Sequence, residues 1–535
     1  MIFLRRRAVT VFALLAILFA GIGARVLDIS GGAQTVALLG SGVRFEVANL
    51  RGTVYDCNLK PLTNGETAYK AIAKPTQKAL AALEKELDAE TFSAVREKML
   101  AGEAVCIDVK SNACDGQDIT VIAYPKRYSP SACHIIGYRG YDGTGVSGAE
   151  KAFDALLASG GELITARVGT DANGRVLLGE EIQVQSEGNC ESGIVLTIDS
   201  EIQKIVENAL DSSGADCAAA VVMDVETGAI RACASRPVYN QNDVASALDN
   251  PDSPLINRAF LPFSVGSVFK PVVAASALEN GVEQSFSYVC TGSVTHNGVT
   301  FNCHKKDGHG ELDMQGATAV SCNTYFIALA IETGAENILA TAAEFGFGKE
   351  TLLADSIKSK SGNLPQTVDS DAALSNLSFG QGELTATPLQ ICVMMSAIAN
   401  GGYYVEPYLV EGEVSADGGF MKKNYYSERR QIIAPETAEI IQSFLETVVE
   451  EGSGKRAKSE VVVCAGKTAT AQTGKSANGE EIYNAWFAGY FPADKPRYAV
   501  VILKENGGEG AISCAPVFKE IAEKVTALER KNGAF

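Results

Sequence analysis

The reading of this chain turns on GSVFKPVVAASALENG, residues 266–281. Proline is tolerated only in the first turn of a helix, so Pro271 sets Ser267 at a helix N-terminus and Gly281 closes the helix. Free backbone N–H groups and the helix dipole favour negative charge there. Lys270 lies one turn on, on the same face. In apolar surroundings a lysine loses basicity through desolvation and can take a proton from a hydroxyl, which makes a serine nucleophilic without histidine. A capping serine and a snorkelling lysine are the bland alternative.

Two further stretches bear on that choice. SCNTYFIALAIETG, residues 321–334, opens with a hydroxyl and an amide two positions apart and continues as an apolar helix. Ser321 and Asn323 are thus both placed to project from a helix start, although the same pattern serves as an ordinary N-cap. VVVCAGKTATAQTG, residues 461–474, begins as a β-branched run typical of a buried strand and ends in small and hydroxyl residues. Small residues let another backbone approach closely, Lys467 brings positive charge, and Thr468 and Thr470 bring donors for a carboxylate. A solvated edge strand carrying a lysine is the alternative.

Taken together and in this order, SxxK, SxN and KT resemble the penicillin-binding transpeptidases, specifically class B penicillin-binding proteins. VVMDVETGAIRACASRP (221–237), SFGQGELTATPLQ (378–390) and AWFAGYFPADKPRYAVVILKE (485–505) resemble the family's segments in the family's order. The resemblance runs from about Leu196 to the C-terminus. It implies a serine transpeptidase/β-lactamase-like α/β (α+β) catalytic domain, with helices around a mainly antiparallel sheet. It also implies that Ser267 is acylated by a D-alanyl-D-alanine stem peptide of peptidoglycan or by a β-lactam. Lys270 would be the general base, and Ser321 and Asn323 would relay protons and orient the substrate. Lys467 and Thr468 would hold the carboxylate side, and the N–H groups of Ser267 and Thr470 would form the oxyanion hole. Ala469 stands where the family usually has glycine; alternation along the strand assigns its methyl to the inward face, opposite Thr468 and Thr470.

Outside this region, Arg5–Arg7 precede a mostly apolar stretch. Residues 1–7 read as a cytoplasmic tail and 8–27 as a single membrane anchor, which puts the rest of the chain on the outer side of the cell membrane. A cleaved signal peptide is the competing reading. Residues 28–190 read as a smaller mixed α/β, non-catalytic pedestal, with the helical TQKALAALEKELDAETFSAVREKML (76–100) inside it, and residues 191–535 as the catalytic domain. RGTVYD and GVSGAEKAFD resemble the class B pedestal. No stretch resembles a glycosyltransferase, so a membrane-embedded glycan polymerase is the expected partner.

The formal net charge of -18 argues against a nucleic-acid partner and against docking on anionic lipid, the arginine cluster apart. No cofactor is expected. Among the 13 cysteines, Cys106 and Cys114 form one short pair and Cys290 and Cys303 another, as disulfides or as paired thiols. For the second pair, His304 and His309 complete a possible zinc set, but adjacent ligands at 303 and 304 are awkward for one tetrahedral ion, and the expectation is no metal. Cys322 reads as a small buried residue. A β-lactamase or β-lactam sensor, and a non-catalytic scaffold retaining the fold, are the rival functions.

Overall fold

The structure, a computed structural model, describes residues 11, 13–25, 42–171, 173–422, 429–477 and 479–533. Among them no single helix is long and apolar enough to cross a membrane; Ala13–Arg25 is a shorter apolar helix. The tail at 1–7 and the remainder of the expected anchor, residues 8–10, 12, 26 and 27, lie outside the described residues.

The chain divides into two compact units, and the region 28–190 contributes to both. Met1–Leu50, Thr67–Pro125 and Glu162–Gly188 form the smaller unit; Arg51–Glu66, Lys126–Gly161 and Asn189–Phe535 form the larger. In the smaller unit, Gly42–Leu50, Glu162–Gly169 and Gln183–Gly188 make an antiparallel sheet. The long helical stretch expected there is two helices, Gln77–Glu86 and Ala89–Leu100. The break falls where the Asp88 carboxylate accepts from the N–H groups of Glu90 and Thr91, capping a new helix in preference to continuing the first.

The larger unit is organised by a five-stranded sheet of β1 (Ala218–Asp224), β2 (Ile230–Arg236), β3 (Ala465–Ala477), β4 (Glu480–Phe491) and β5 (Tyr498–Lys504). The strand order is β2-β1-β5-β4-β3, with every neighbouring pair antiparallel. Because side chains alternate across a strand, β1 sends Ala219, Val221 and Met223 to one face and Ala218, Ala220 and Val222 to the other. Both faces are apolar, so both must be covered. The helices that flank this sheet and the site are, in chain order, α1 (Ser200–Ser212), α2 (Lys270–Glu279), α3 (Met314–Ala319), α4 (Asn323–Thr333), α5 (Pro388–Ala399), α6 (Pro435–Glu450) and α7 (Ala515–Lys531). Helices α1 and α7 cover one face, and α2, α4 and α5 supply the core on the other. Every residue of α5 is buried, and a capping box of Thr387 and Gln390 closes its start.

The valine run expected to open the KTAT strand lies outside it. Val461 and Val463 are exposed, and β3 begins only at Ala465, paired with Tyr490. The partner strand ends at Phe491, before Pro492, which cannot extend a ladder, so the valines have no strand to pair with.

Candidate active site

Ser267 does not cap an α-helix directly. It lies in a 3-10 turn, Gly266–Phe269, that leads into α2 at Lys270, with Pro271 in the first turn as the sequence requires. Gly266 has φ +61°, and a Cβ on it would lie 3.1 Å from Ala471 Cβ and 3.4 Å from Ala469 Cβ. Its N–H donates to Gly380 O at 2.8 Å. Gly380 is also left-handed, φ +74°, and a Cβ there would come within 2.1 Å of Gly266 O. The serine turn is thus clamped between β3 and the SFGQG loop at two positions only glycine can fill. Trp486, the chain's single tryptophan, anchors the approach to this turn by donating from Nε1 to Ser264 O at 3.0 Å.

Lys270 is fully buried at the start of α2. Its Nζ donates to Ser321 O (2.7 Å), Asn323 Oδ1 (2.8 Å) and Ser321 Oγ (3.2 Å), and lies 5.3 Å from the centre of the Phe326 ring. Burial, the largest influence on this group, pulls its pKa down to about 7. The SCN turn that receives the lysine joins α3 to α4: Ser321 is left-handed at φ +56°, Cys322 is the N-cap, and Asn323 opens α4. Non-glycine residues rarely adopt that conformation, and the turn brings two side chains to one lysine.

Lys467 is equally buried and donates to Thr468 O at 3.1 Å. Burial first, and then the Lys270 charge, hold its pKa well below the usual lysine value. On β3, an edge strand of the sheet, Thr468 Oγ1 donates to Ser453 Oγ at 3.2 Å and Thr470 Oγ1 accepts from Gly510 N–H at 3.3 Å. Ala469 pairs with Trp486, is 3% exposed and belongs to the core beneath the serine turn, on the face that alternation assigns it. The three separated strings therefore meet at one place: Lys270 touches the SCN turn, and β3 packs under the Ser267 turn.

Ser453 was not legible as a site residue. Its N–H donates to Ala319 O, just before the SCN turn, while its hydroxyl holds Thr468, so it ties two of the three strings together. It follows a helix in an unremarkable EGSG stretch, and no sequence spacing marks it.

All thirteen cysteines are free thiols, so neither Cys106 with Cys114 nor Cys290 with Cys303 forms a disulfide, and Cys290 and Cys303 lie together as thiols. A Cys/His cluster does form around Cys290 and Cys303, against the expectation of no metal set, and its members differ from the set Cys290, Cys303, His304 and His309. The ligand atoms of Cys290, Cys303, His309 and Cys322 all lie within 4.8 Å of one another, and His304, next to Cys303, is outside the group. Cys322 arrives from the SCN turn, distant in sequence.

Residues 218–523, more than half of the chain, match the family model of the penicillin-binding protein transpeptidase domain. The chain belongs to that family. The matched stretch contains Ser267, Lys270, Ser321, Asn323, Lys467, Thr468, Ala469 and Thr470. The chain is 32% identical to penicillin-binding protein PbpB of Mycolicibacterium smegmatis over 426 residues, which cover 75% of this chain and 64% of that protein. Among solved structures, it is similar to the D,D-transpeptidase domain of a peptidoglycan glycosyltransferase from Eggerthella lenta. That match has a TM-score of 0.65 and 27% identity, and covers 90% of this chain and 99% of the other. Penicillin-binding protein 3 of Mycobacterium tuberculosis, solved in complex with aztreonam, matches with a TM-score of 0.64 and 25% identity over 92% of this chain and 97% of the other. The class B resemblance drawn from the sequence is borne out by these relatives.

Proposed function

We propose that this chain is a serine D,D-transpeptidase that cross-links peptidoglycan and is acylated by β-lactams. The observation that carries the reading is Lys270: a buried lysine with a pKa near 7, one turn from Ser267 and hydrogen-bonded to both polar residues of the SCN turn. A lysine of that basicity is substantially neutral at physiological pH and serves as a general base.

In the proposed reaction, Lys270 Nζ takes the proton of Ser267 Oγ as the oxygen attacks the carbonyl of the penultimate D-alanine. The developing oxyanion is held by the backbone N–H groups of Ser267 and Thr470. The C–N bond breaks, the departing D-alanine amine receives a proton through Lys270 and Ser321, and the donor peptide remains as an ester on Ser267. An acceptor amine of a second stem peptide then attacks the ester, returning the proton to Ser267 Oγ through the same groups. The donor lies along the free edge of β3, where strand-like pairing supplies alignment, and Lys467 and Thr468 hold its terminal carboxylate. With a β-lactam the same attack opens the ring, and the amine stays tethered to the acyl group.

A non-catalytic scaffold is the weaker reading, because the departure at Ala469 that prompted it faces the core. The apolar stretch after Arg5–Arg7 supports a single-pass anchor with the catalytic unit outside the cell. A membrane-embedded glycan polymerase is the proposed partner, and it is expected to co-purify with the chain from membranes. Fluorescent penicillin tests the reaction: the wild-type chain is expected to form a stable adduct at Ser267 and Ser267→Ala none. An adduct on another residue would overturn the assignment.

A further inference from the structure

The sequence region Tyr288–Leu312 folds into short antiparallel ladders, Tyr288–Cys290 with Gly310–Leu312 and Ser293–His296 with Val299–Asn302. It delivers three side chains to one point beside the SCN turn: Cys290 from a strand end, and Cys303 and His309 from the loop between ladders. Cys322 completes the group. Cys290, Cys303 and Cys322 are 2%, 3% and 0% exposed, while His309 closes the outer side.

Three of the six pairwise spacings match a tetrahedral metal site, and all six are within 4.8 Å. With Zn–S of about 2.3 Å and Zn–N of about 2.0–2.1 Å, tetrahedral geometry requires S···S of about 3.8 Å and S···N of about 3.6 Å. Cys303 Sγ and Cys322 Sγ are 3.8 Å apart; His309 Nδ1 is 3.6 Å from Cys290 Sγ and 3.5 Å from Cys303 Sγ. The surrounding backbone is built for it. Gly292 and Gly308 have φ +98° and +77°; a Cβ on Gly292 would lie 2.0 Å from Lys306 O, and one on Gly308 2.2 Å from Cys290 O. Cys303 N–H donates to Gly292 O at 2.8 Å, closing the two ligand-bearing loops on each other.

We propose that Cys290, Cys303, His309 and Cys322 bind one zinc ion, and that this ion holds the SCN turn in register with Lys270. Three sulfurs and one imidazole form a closed ligand set of the structural kind, with no position left for a reacting water. Its consequence for catalysis comes chiefly through Cys322. The two residues flanking Cys322 are the ones that accept from Lys270 Nζ, and Ser321 is held in a left-handed conformation at the same turn. An ion gripping Cys322 fixes this turn to the ladders; without it, three buried thiols and a half-buried imidazole have no common partner. Metal binding stands on geometry alone, whereas the effect on acylation rests on the transpeptidase reading.

The test uses the full-length chain purified in detergent under reducing conditions. Elemental analysis is expected to find one zinc per chain in the wild type and at least a tenfold loss in Cys290→Ser and His309→Ala, neither of which touches Lys270. Should those variants fail to fold, chelator-stripped wild type titrated with Co2+ is expected to develop thiolate-to-cobalt charge-transfer bands and tetrahedral d–d bands. Stripped protein is expected to be acylated by fluorescent penicillin roughly 100-fold more slowly, the cost of a displacement of about 1 Å at the turn, with recovery on adding Zn2+. Wild type with less than a tenth of an equivalent of zinc and no cobalt bands, or with a Cys303–Cys322 disulfide in peptide mapping, would overturn the site. Full metal occupancy with unchanged acylation on stripping would overturn the coupling. Zinc-loaded protein that never labels at Ser267 would refute the transpeptidase reading and leave the metal site standing.

Discussion

Replacing Ala469 by glycine restores the residue usual in the family, and the expected result is a small loss of stability with little change in rate. The Ala469 methyl packs in the core beneath Gly266 and is 3% exposed. Deleting it removes about 0.8 kcal/mol of apolar burial, and glycine within a strand costs roughly 0.5–1 kcal/mol more in backbone entropy, so about 1–2 kcal/mol is expected in all. Because the methyl does not face the acyl donor, the second-order rate of acylation by fluorescent penicillin should change by less than roughly tenfold, or about 1.4 kcal/mol of barrier. Calorimetry and a rate series in penicillin concentration measure the two effects on the same protein. A gain in rate well above tenfold with no loss of stability would show that the methyl obstructs the cleft, and would refute the facing assigned here. Ala469→Leu gives the converse: overpacking against Gly266 should displace the serine turn, cost about 1–3 kcal/mol and depress acylation sharply.

Acylation should follow the neutral fraction of Lys270. Below pH 7 the ammonium predominates and cannot accept a proton, so the rate should fall about tenfold per unit below roughly pH 6 and level off above about pH 8; a flat profile from pH 5 to 8 would contradict it. Gly380→Ala forces a Cβ to within 2.1 Å of Gly266 O at a left-handed φ, and should cost stability of about 1–3 kcal/mol and most of the acylation rate; an unchanged thermal transition and rate would contradict the clamp. Ser453→Ala removes the hydroxyl that holds Thr468 and should cost about 0.5–1.5 kcal/mol with up to a tenfold fall in rate, checked by denaturation and labelling; a total loss of labelling would give Ser453 a direct chemical role.

The parts of the site that the sequence makes legible are those whose spacing is local. SVFK places its lysine one turn from its serine, because Pro271 fixes the helix phase; Ala469 is assigned inward by alternation. What the sequence hides depends on partners remote in the chain. The valines before KTAT read as strand by composition, but strand formation needs a neighbour, and β4 ends at Phe491. Residues 76–100 read as helical throughout, whereas capping by Asp88 starts a second helix within them. Cys322 reads as a small buried residue of the SCN turn, and His304 as an awkward fourth member beside Cys303. Only the fold of Tyr288–Leu312 back onto α4 shows that Cys322 takes that place. Ser453 is of the same kind, a short side chain that matters only through its contacts with Ala319 and Thr468.

The central claim is that Ser267 is the nucleophile and buried Lys270 its base. It is tested most directly by time-resolved mass spectrometry of the penicillin adduct in wild type, Ser267→Ala and Lys270→Ala. The expected result is one adduct, mapped to the peptide carrying Ser267, absent in Ser267→Ala, and formed several orders of magnitude more slowly in a folded Lys270→Ala protein. Near-normal acylation in Lys270→Ala, or an adduct persisting in Ser267→Ala, would contradict it.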